Sequence, residues 1–455
     1  MIHPLQAVVA NSDGSIVFCV IKNMIQVFRW EQTKGEFVAA GRWIDEEDNT
    51  SAIKTKVTEE QHRQRAENDA KRRKIEEDTS INKSEDNAQT KKAKDAKVPV
   101  PGAGAPPVYN YVRNVSLSRD EKLLFACTDS DKALVVFALD FSDPSKNCLT
   151  VQKRQPLPKR PNALTTTTDG QKVLVADKFG DVYSVNARDQ KVIGTTENGL
   201  EPILGHVSLL TDIALTTDSN GKQLLFTADR DEHIRITHFP QTYIIDKWLF
   251  GSKQFVSTLC LPQWGSNLLF SAGGDNFVSS WNWESGHLLD SLDISELIEP
   301  FLGDAQLAPE RFQNETNTLV EYAVTEIVTL SNLPYIAFCV EQTKALFICK
   351  IDPTLGTITL AQTIELPCNI VSLTSASASN TFVAALDNRE SGTFNFAIFI
   401  SWDEVQFTID GEKNICFDRC ITEELGGNSI ANFEGQVIYP LYHIGSLRKR
   451  GELYA

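Results

Sequence analysis

One short segment recurs along this chain: a strand, a tight turn that contains an aspartate, and a second strand with alternating side chains. The clearest copy spans residues 227–236, and similar copies span residues 127–137 and 271–282. A repeated unit of this kind cannot bury its apolar face alone, so neighbouring copies must stack on one another. The repetition therefore constrains the fold more than the length of 455 residues does.

The spacing of the turns predicts how many units there are. Asp131, Asp181 and Asp231 follow one another at steps of fifty residues, and Asp275 comes forty-four residues later. Weaker copies cover residues 16–28, 336–347 and 382–394. These hairpins are typical of WD repeats, and about seven of them predict an all-β fold, a seven-bladed WD-repeat β-propeller formed by residues 1–455 as a single domain. The segment at residues 4–9 is expected to complete the last blade, which closes the ring and removes the open sheet edge.

Two segments interrupt the repeats. Residues 45–97 contain thirteen Lys/Arg and fourteen Asp/Glu, and no aromatic residue lies between Trp43 and Tyr109. Such a segment buries too little apolar surface to offset its ordering entropy, so we expect a disordered charged loop between blades one and two. Residues 292–317 form a second irregular connection, with a short helix expected at residues 295–301.

The net charge and the cysteine content limit which classes of function are plausible for this chain. The formal net charge is -16, and residues 45–97 account for only -1 of it (13 − 14), so the propeller itself carries about -15. A protein that holds RNA by itself needs a basic surface, so a partner is expected to supply most of the positive charge if RNA is involved. The nine cysteines show neither a zinc spacing nor a disulfide framework, which favours buried thiols in an intracellular, soluble protein.

No pattern indicates an active site. The glycine-rich run at residues 272–275 lacks the following helix that would place backbone N–H groups on an anion, so a turn is the better interpretation. We find no serine elbow, no metal-binding histidine pair and no phosphate loop. The sequence therefore predicts no catalytic residues, no cofactor and no metal, and hence a protein that is not itself an enzyme.

The best repeat also indicates structural residues. His206 precedes Thr227 and Asp231, and in WD repeats a histidine, a hydroxyl and a turn aspartate form a hydrogen-bonded chain that stabilises the blade. Thr237 stands where the repeat has a tryptophan, so this chain is expected to be incomplete. Together with the turn residue Asp275, these residues are predicted to be structural rather than catalytic.

Basic residues in this acidic chain are candidate binding residues. Several fall near the ends of blades two, three and four: Lys153, Arg154, Lys159, Arg160, Lys178, Arg230 and Arg235. Their grouping favours a patch for a carboxylate or a phosphate, and scattered surface cations remain the alternative. A further cluster, Lys71, Arg72, Arg73 and Lys74, is typical of a nuclear import signal, with a solvated charge run as its alternative.

Several runs outside the repeats resemble one family, the WD-repeat non-catalytic subunit of the eukaryotic tRNA (guanine-N(7)-)-methyltransferase, in its fungal form. They extend over nearly the whole chain: residues 96–114, 159–163, 177–183, 201–208, 229–235, 307–315, 438–442 and 446–449. The charged loop and residues 360–435 match this family least well.

The resemblance implies a scaffold. A subunit of this family binds no S-adenosylmethionine; it docks beside a Rossmann-type methyltransferase and stabilises it, and the heterodimer methylates a variable-loop guanine of tRNA. The basic cluster at residues 71–74 separately predicts a nuclear location. Arg235 occupies the family's partner-facing basic position, and strand alternation predicts that it points away from the packing side of its isoleucine neighbours. Asp229 and Arg230 share its hairpin, and Lys178, Lys159 and Arg160 match family motifs, so all six are expected to bind the partner.

Two other functions remain as alternatives. One is a general WD-repeat adaptor in another nuclear complex, such as a ubiquitin ligase or a ribosome assembly complex. The other is an enzyme that acts in a central funnel, which the missing acid/base or metal cluster disfavours. Co-purification with a Rossmann-type methyltransferase distinguishes the first alternative from the scaffold.

Overall fold

A computed structural model describes residues 4–47, 111–194, 199–313, 319–389, 395–426 and 441–450. The described residues within 4–45 and 111–450 form one compact unit. It contains seven four-stranded antiparallel sheets, each made of four consecutive strands, and it is therefore a seven-bladed β-propeller. The fold predicted from the sequence is confirmed. Most of the predicted charged loop, including Lys71 to Lys74, lies outside the described residues.

Each blade is numbered by its order along the chain, and its first strand lies at the centre of the ring. Blades 1 to 4 comprise β1 (Ala7–Ala10), β2 (Ile16–Ile21), β3 (Met24–Glu31), β4 (Glu36–Ile44); β5 (Val112–Leu117), β6 (Leu123–Thr128), β7 (Ala133–Leu139), β8 (Leu149–Pro156); β9 (Pro161–Thr166), β10 (Lys172–Asp177), β11 (Asp181–Asn186), β12 (Pro202–Gly205); and β13 (Leu210–Thr217), β14 (Gln223–Asp229), β15 (Ile234–Phe239), β16 (Ile245–Leu249). Blades 5 to 7 comprise β17 (Val256–Cys260), β18 (Leu268–Gly273), β19 (Phe277–Asn282), β20 (His287–Asp293); β21 (Val324–Thr329), β22 (Tyr335–Val340), β23 (Ala345–Ile351), β24 (Ile358–Glu365); and β25 (Ile370–Ala376), β26 (Thr381–Leu386), β27 (Ala397–Trp402), β28 (Phe407–Ile409).

Antiparallel order gives the ring two different faces. We call the upper face the one where the second strand of each blade turns into the third and the fourth strand leads to the next blade. The lower face carries the other two sets of turns. The hairpins that identified the repeats in the sequence therefore all end on the upper face.

Polar side chains of the inner strands tie neighbouring blades together. The Asn114 side chain donates to the carbonyl of Asn162 at 2.6 Å, and the Asn162 side chain donates to the carbonyl of Leu210 at 2.7 Å. Further along, Asp212 accepts the backbone N–H of Leu259 at 2.7 Å. These bonds run from blade 2 to blade 5 and replace the water that backbone groups next to the central cavity would otherwise bind.

One acidic side chain of this inner ring is held in an environment that penalises its charge. Glu326 on β21 accepts the backbone N–H of Leu373 in the next blade, and it lines the central cavity of about 430 Å³. Burial raises the pKa of Glu326 to about 7. Between pH 4.5 and 7 the folded protein thus binds a proton that the unfolded chain has released, so stability falls as pH rises through this window and levels off above it.

We expect Glu326→Gln to make this pH dependence shallower, because the amide keeps an oxygen acceptor for Leu373 and carries no charge. Burial also raises the pKa values of Asp212 and Asp418 to about 7, so part of the pH dependence should persist in the variant. At pH 8 the free energy of unfolding of the variant should exceed that of the wild type by on the order of 1–3 kcal/mol. The variant should therefore unfold at a higher temperature. Thermal unfolding at pH 5 and pH 8 measures the effect, with the exposed Glu365→Gln as the matched control. Equal pH slopes for wild type and Glu326→Gln would contradict the assignment.

The ring closes in a different way from the one predicted. β1 pairs with β2 inside blade 1, with Ala7 opposite Val20, so the prediction that the first segment completes the last blade is wrong. Instead, helix α2 (Gly411–Gly426) packs against β4 of blade 1 and β27 of blade 7. Its Phe417 ring makes edge contacts with Phe28 at 5.3 Å and Phe37 at 5.1 Å. Apolar side chains four residues apart form this helix face.

The irregular connection between blades 5 and 6 contains the short helix that the sequence predicted. Helix α1 (Ser295–Ile298) continues into a 3₁₀ turn at Glu299–Phe301. Ile298 is buried, and the Phe301 ring packs edge-on against Phe347 at 5.9 Å. The connection is therefore anchored in the apolar cluster shared by blades 5 and 6.

A C-terminal segment, residues 441–450, crosses the upper end of the cavity, and we call it the strap. Glu341 accepts the N–H groups of Ile444 and Gly445 at 2.7 Å each, and the Tyr442 hydroxyl donates to Asp387 at 2.8 Å. Because the strap lines the cavity together with all seven inner strands, it covers the channel on the upper face.

Candidate functional site

The upper end of blade 4 contains the hydrogen-bonded chain that the repeat predicts, with one change of residue. His206 Nε2 lies 2.8 Å from the Thr227 hydroxyl, and His206 Nδ1 lies 2.9 Å from a carboxylate oxygen of Asp229. The other Asp229 oxygen accepts the N–H groups of Asp231 and His233 at 2.8 and 3.0 Å. The chain therefore ends on Asp229, and Asp231 is not part of it.

The pKa shifts of the two ionisable groups agree with a neutral His206 and an ionised Asp229. Burial alone would raise the pKa of Asp229, but the hydrogen bonds from His206 and His233 hold it below its usual value. Burial lowers the pKa of His206 in spite of the adjacent carboxylate. Asp229 is thus ionised and nearly inaccessible at neutral pH, which contradicts its expected role as a partner-contacting residue and makes it part of the blade's support.

Asp231, expected to support the blade, faces outward instead. Its carboxylate accepts the Ser208 hydroxyl at 2.6 Å and forms an ion pair with Lys449 of the strap, also at 2.6 Å. The prediction missed this because both aspartates lie in one turn, two residues apart, and only the backbone path decides which of them turns toward the histidine.

Arg230 also contacts the strap. Its Nε donates to the backbone carbonyl of Leu447 at 2.6 Å. Two consecutive residues of the blade 4 turn, Arg230 and Asp231, therefore fasten the C-terminal segment. Arg230 is half-buried in this contact and is not presented as an open cation for a partner.

Arg235 lies in the middle of blade 4 rather than on its surface. Only 9% of the residue is accessible, and its Nη2 donates to the carbonyl of Gly205 at 3.0 Å. Trp248 is its neighbour across the strand pair, and the guanidinium lies 5.5 Å from the indole ring. Burial lowers the pKa of Arg235, and the charge of Asp229 partly offsets this effect. Arg235 lies on the side of the strand opposite to Ile234 and Ile236, as alternation predicts, but that side is packed too, so the residue is buried rather than exposed.

What Arg235 supports is an exposed aromatic group. The Phe250 ring, 69% accessible, lies nearly parallel to Trp248 at 6.1 Å. His233 contacts both rings edge-on, at 5.5 and 6.3 Å. The adjacent loop adds Val207, which is fully exposed. We call His233, Trp248, Phe250 and Val207 the aromatic patch. Sequence reasoning missed it, although Trp248 and Phe250 follow the repeat as an apolar pair at its end.

The remaining basic candidates divide into buried and exposed residues. The Lys153 side chain is buried and pairs with Asp189 at 2.7 Å, so it cannot form a surface patch. Arg154 pairs with Asp45 at 3.0 Å and with Asp131 at 2.7 Å, which fixes the end of β4 to blade 2.

Three further candidates lie on the upper face of blades 2 and 3. Arg160 is half-buried and pairs with Asp129 at 3.3 Å. Lys159 and Lys178 instead flank the exposed ring of Phe179, with Nζ atoms 4.8 and 5.1 Å from its centroid. The two lysines thus remain on the surface, where the sequence placed them.

The glycine-rich turn of blade 5 is a close contact between strands and not a ligand loop. A Cβ at Gly273 would collide with the backbone carbonyl of Phe255. The Asp275 carboxylate accepts the N–H groups of Lys253 and Gln254, at 3.0 and 3.2 Å, and burial raises its pKa. This aspartate therefore connects two loops of one blade.

Within the part of the chain that the structure describes, no group of three or more His, Cys, Asp or Glu side chains is arranged to hold a metal ion. Among the described helices, none has the length and apolar character that a membrane span requires. The described part of the upper face exposes an aromatic patch on blade 4 and lysines on blades 2 and 3.

Comparison with known proteins relates this propeller to one family. The family model described as the tRNA methyltransferase TRM82 WD40 domain matches residues 14–199 and 187–397. A Kluyveromyces lactis protein named tRNA (guanine-N(7)-)-methyltransferase non-catalytic subunit TRM82 is 51% identical over 455 residues, 100% of both chains. A protein of the same name from Saccharomyces cerevisiae is 44% identical over 460 residues, again 100% of both.

Solved structures show the same fold at low identity. The structure titled U3-55K covers 90% of this chain and 94% of its own, with a TM-score of 0.54 and 14% identity. The structure of the RRP9 WD40 repeats covers 85% and 88%, with a TM-score of 0.52 and 14% identity. These two similarities concern the propeller fold alone.

Proposed function

The chain belongs to the TRM82 family of WD40 proteins, and we propose that it is the non-catalytic subunit of a tRNA (guanine-N(7)-)-methyltransferase. In this proposal it binds and stabilises a separate Rossmann-type methyltransferase subunit. That subunit binds S-adenosylmethionine and forms N(7)-methylguanine in the variable loop of tRNA. The names of the full-length relatives, each a non-catalytic subunit, support this assignment.

The observation that carries the docking part of the proposal is the aromatic patch. Protein interfaces are enriched in aromatic residues and arginine, and a few such residues near the centre carry most of the binding energy. Trp248 and Phe250 offer two nearly parallel rings, and the buried Arg235 holds the first of them in place. The catalytic subunit would therefore dock on the upper face of blade 4, with Phe250 as the central contact.

The nuclear location also remains a proposal. It depends on the basic cluster at residues 71–74, which resembles an import signal in sequence and lies outside the described residues.

Phe250→Ala is the direct test of the docking site. We expect it to weaken binding of the catalytic subunit by about 30-fold, which corresponds to roughly 2 kcal/mol for a central interface residue. Its melting temperature should stay unchanged because the ring is exposed. Surface plasmon resonance against the purified methyltransferase measures the affinity, and tRNA methylation by the reconstituted pair measures the function.

The matched control is Tyr243→Ala, since Tyr243 is an exposed aromatic residue of the same blade, 83% accessible, at its lower end. It should bind like the wild type. If Phe250→Ala binds the methyltransferase as tightly as the wild type, the proposed docking site on blade 4 is wrong. Failure of the wild-type chain to bind the methyltransferase, or to support methylation, would refute the proposed function and favour a general adaptor.

A further inference from the structure

The strap is attached to the same turn that carries part of the aromatic patch. Arg230 Nε donates to the carbonyl of Leu447 at 2.6 Å, and Lys449 of the strap pairs with Asp231 at 2.6 Å. The turn continues into His233, whose ring contacts both aromatic rings of the patch edge-on. The C-terminal segment therefore holds the blade 4 turn directly beside the proposed docking surface.

Asp231 connects the strap with two parts of the patch. The carboxylate oxygen that pairs with Lys449 also accepts the hydroxyl of Ser208, the residue that follows the exposed valine of the patch. On the other side, the N–H groups of Asp231 and His233 share one acceptor, an oxygen of Asp229. A displacement of Asp231 would therefore disturb both the valine loop and the histidine turn.

The two turns that hold the strap share a strained backbone conformation. Glu232 in blade 4 and Gln342 in blade 6 have φ angles of 74° and 58°, in the left-handed region that residues other than glycine seldom adopt. The turns of blades 1 and 2 adopt it too, so the strain belongs to the repeat. In blades 4 and 6, however, the residue directly before it, Asp231 or Glu341, binds the strap. Strained turns persist where surrounding contacts over-determine them, and the strap supplies such contacts here.

The strap has its other main anchor on the side of blade 6. Glu341 accepts the N–H groups of Ile444 and Gly445 at 2.7 Å each. Arg450 Nη2 pairs with Glu321, which precedes the first strand of the same blade, at 2.7 Å. The strap therefore connects blade 6 with the blade 4 turn, two blades away around the ring.

We propose that the strap sets the affinity of blade 4 for the catalytic subunit, by holding the turn at residues 230–233 and the aromatic patch beside it in the arrangement that binds. The partner and its docking site are those of the proposed function, on which this inference rests. The apparent affinity of a protein falls with the fraction of molecules in the binding-competent state. Detachment of the strap would thus weaken docking without removing any residue of the patch.

Thermodynamic linkage makes this coupling mutual. If an attached strap strengthens partner binding by some factor, partner binding strengthens strap attachment by the same factor. The amide groups of Ile444 and Gly445 report on attachment, because their exchange with solvent requires their release from Glu341. The strap itself therefore offers a readout that a merely stabilising role would not change.

Two variants of the full-length chain test the coupling by surface plasmon resonance against the purified methyltransferase. Glu341→Ala should weaken binding about tenfold, within the range that coupled sites typically show. Glu341→Gln keeps an acceptor oxygen and should retain most of the affinity. Lys449→Ala should weaken binding about threefold, because its ion pair is partly exposed. Since the Lys449 side chain is 54% accessible, this second variant should fold normally even if Glu341→Ala does not.

The matched control is Glu284→Ala, which removes an exposed carboxylate from the lower face of blade 5 and should bind like the wild type. Hydrogen exchange of the wild type is compared in the free chain and in the complex. The amides of Ile444 and Gly445 should exchange at least about tenfold more slowly in the complex. In the double variant Phe250→Ala, Glu341→Ala, the loss of binding free energy should be smaller than the sum of the two single losses, because both act on one surface.

The possible outcomes separate this coupling from other roles of the strap. Wild-type affinity in both strap variants would overturn the proposal, and so would exchange rates that complex formation leaves unchanged. A loss confined to Lys449→Ala would make this lysine a direct contact, and additive losses in the double variant would make the strap a separate contact surface. Either result also contradicts the coupling. Failure of the wild-type chain to bind the methyltransferase would instead refute the proposed function.

Discussion

Asp229→Ala is expected to destabilise the protein by roughly 3–5 kcal/mol, because it removes an ionised acceptor from a buried network. His206 Nδ1 and the N–H groups of Asp231 and His233 would lose their acceptor at once. The buried guanidinium of Arg235 would also lose the negative charge of Asp229, which partly offsets its desolvation. Complex formation should fall with folding, because the aromatic patch rests on this network.

The matched control is Asp231→Ala, two residues along the same turn. Asp231 is about one-third exposed at its side chain and pairs with the half-exposed Lys449, so its loss should cost about 1 kcal/mol or less. Thermal and urea unfolding of both variants gives the comparison. Equal destabilisation by the two substitutions would show that the hydrogen-bonded chain does not end on Asp229.

This pair of residues shows what the repeat pattern predicts well. The turn spacing gives the number of blades and the upper face, because every blade needs a turn at the same end of its hairpin. It also identifies His206 and Thr227. It does not distinguish Asp229 from Asp231, since both are aspartates in the same turn and the local backbone decides which carboxylate reaches the ring.

The strand pattern has a different limit at Arg235. In a sheet with one solvent-exposed face, the alternation of side chains along a strand separates buried from exposed residues. In a propeller, both faces of a central strand lie between neighbouring blades, so a residue opposite in sense to Ile234 and Ile236 is buried too. The arginine is accommodated by the Gly205 carbonyl and the Trp248 ring, two partners that are distant in sequence or on another strand.

Ring closure was the other part that the sequence did not predict. Phe417, Ile421 and Leu425 are buried and lie four residues apart. This spacing matches the period of an α-helix and predicts helix α2. The strap has no such signal. Its conformation depends on acceptors such as Glu341 and Asp387, each on a different blade, so no local pattern encodes it.

Arg235→Glu is expected to weaken the complex strongly and also to destabilise blade 4. A carboxylate at this position would lie near Asp229, lose the bond to the Gly205 carbonyl, and withdraw the cation from beneath Trp248. Two like charges in a buried site are unfavourable, so the melting temperature should fall clearly. Because Trp248 supports Phe250, the docking rings should lose their arrangement even in molecules that remain folded.

Binding and folding must therefore be measured separately. At a temperature where circular dichroism shows the variant to be folded, affinity for the methyltransferase should still be weaker by a factor of tens to thousands, which corresponds to roughly 2–5 kcal/mol. Arg235→Lys keeps the charge but loses the planar group over the indole. Its affinity for the methyltransferase should therefore lie between those of the wild type and Arg235→Glu. If affinity in Arg235→Glu falls only in proportion to the unfolded fraction, Arg235 supports the blade and has no part in arranging the docking surface.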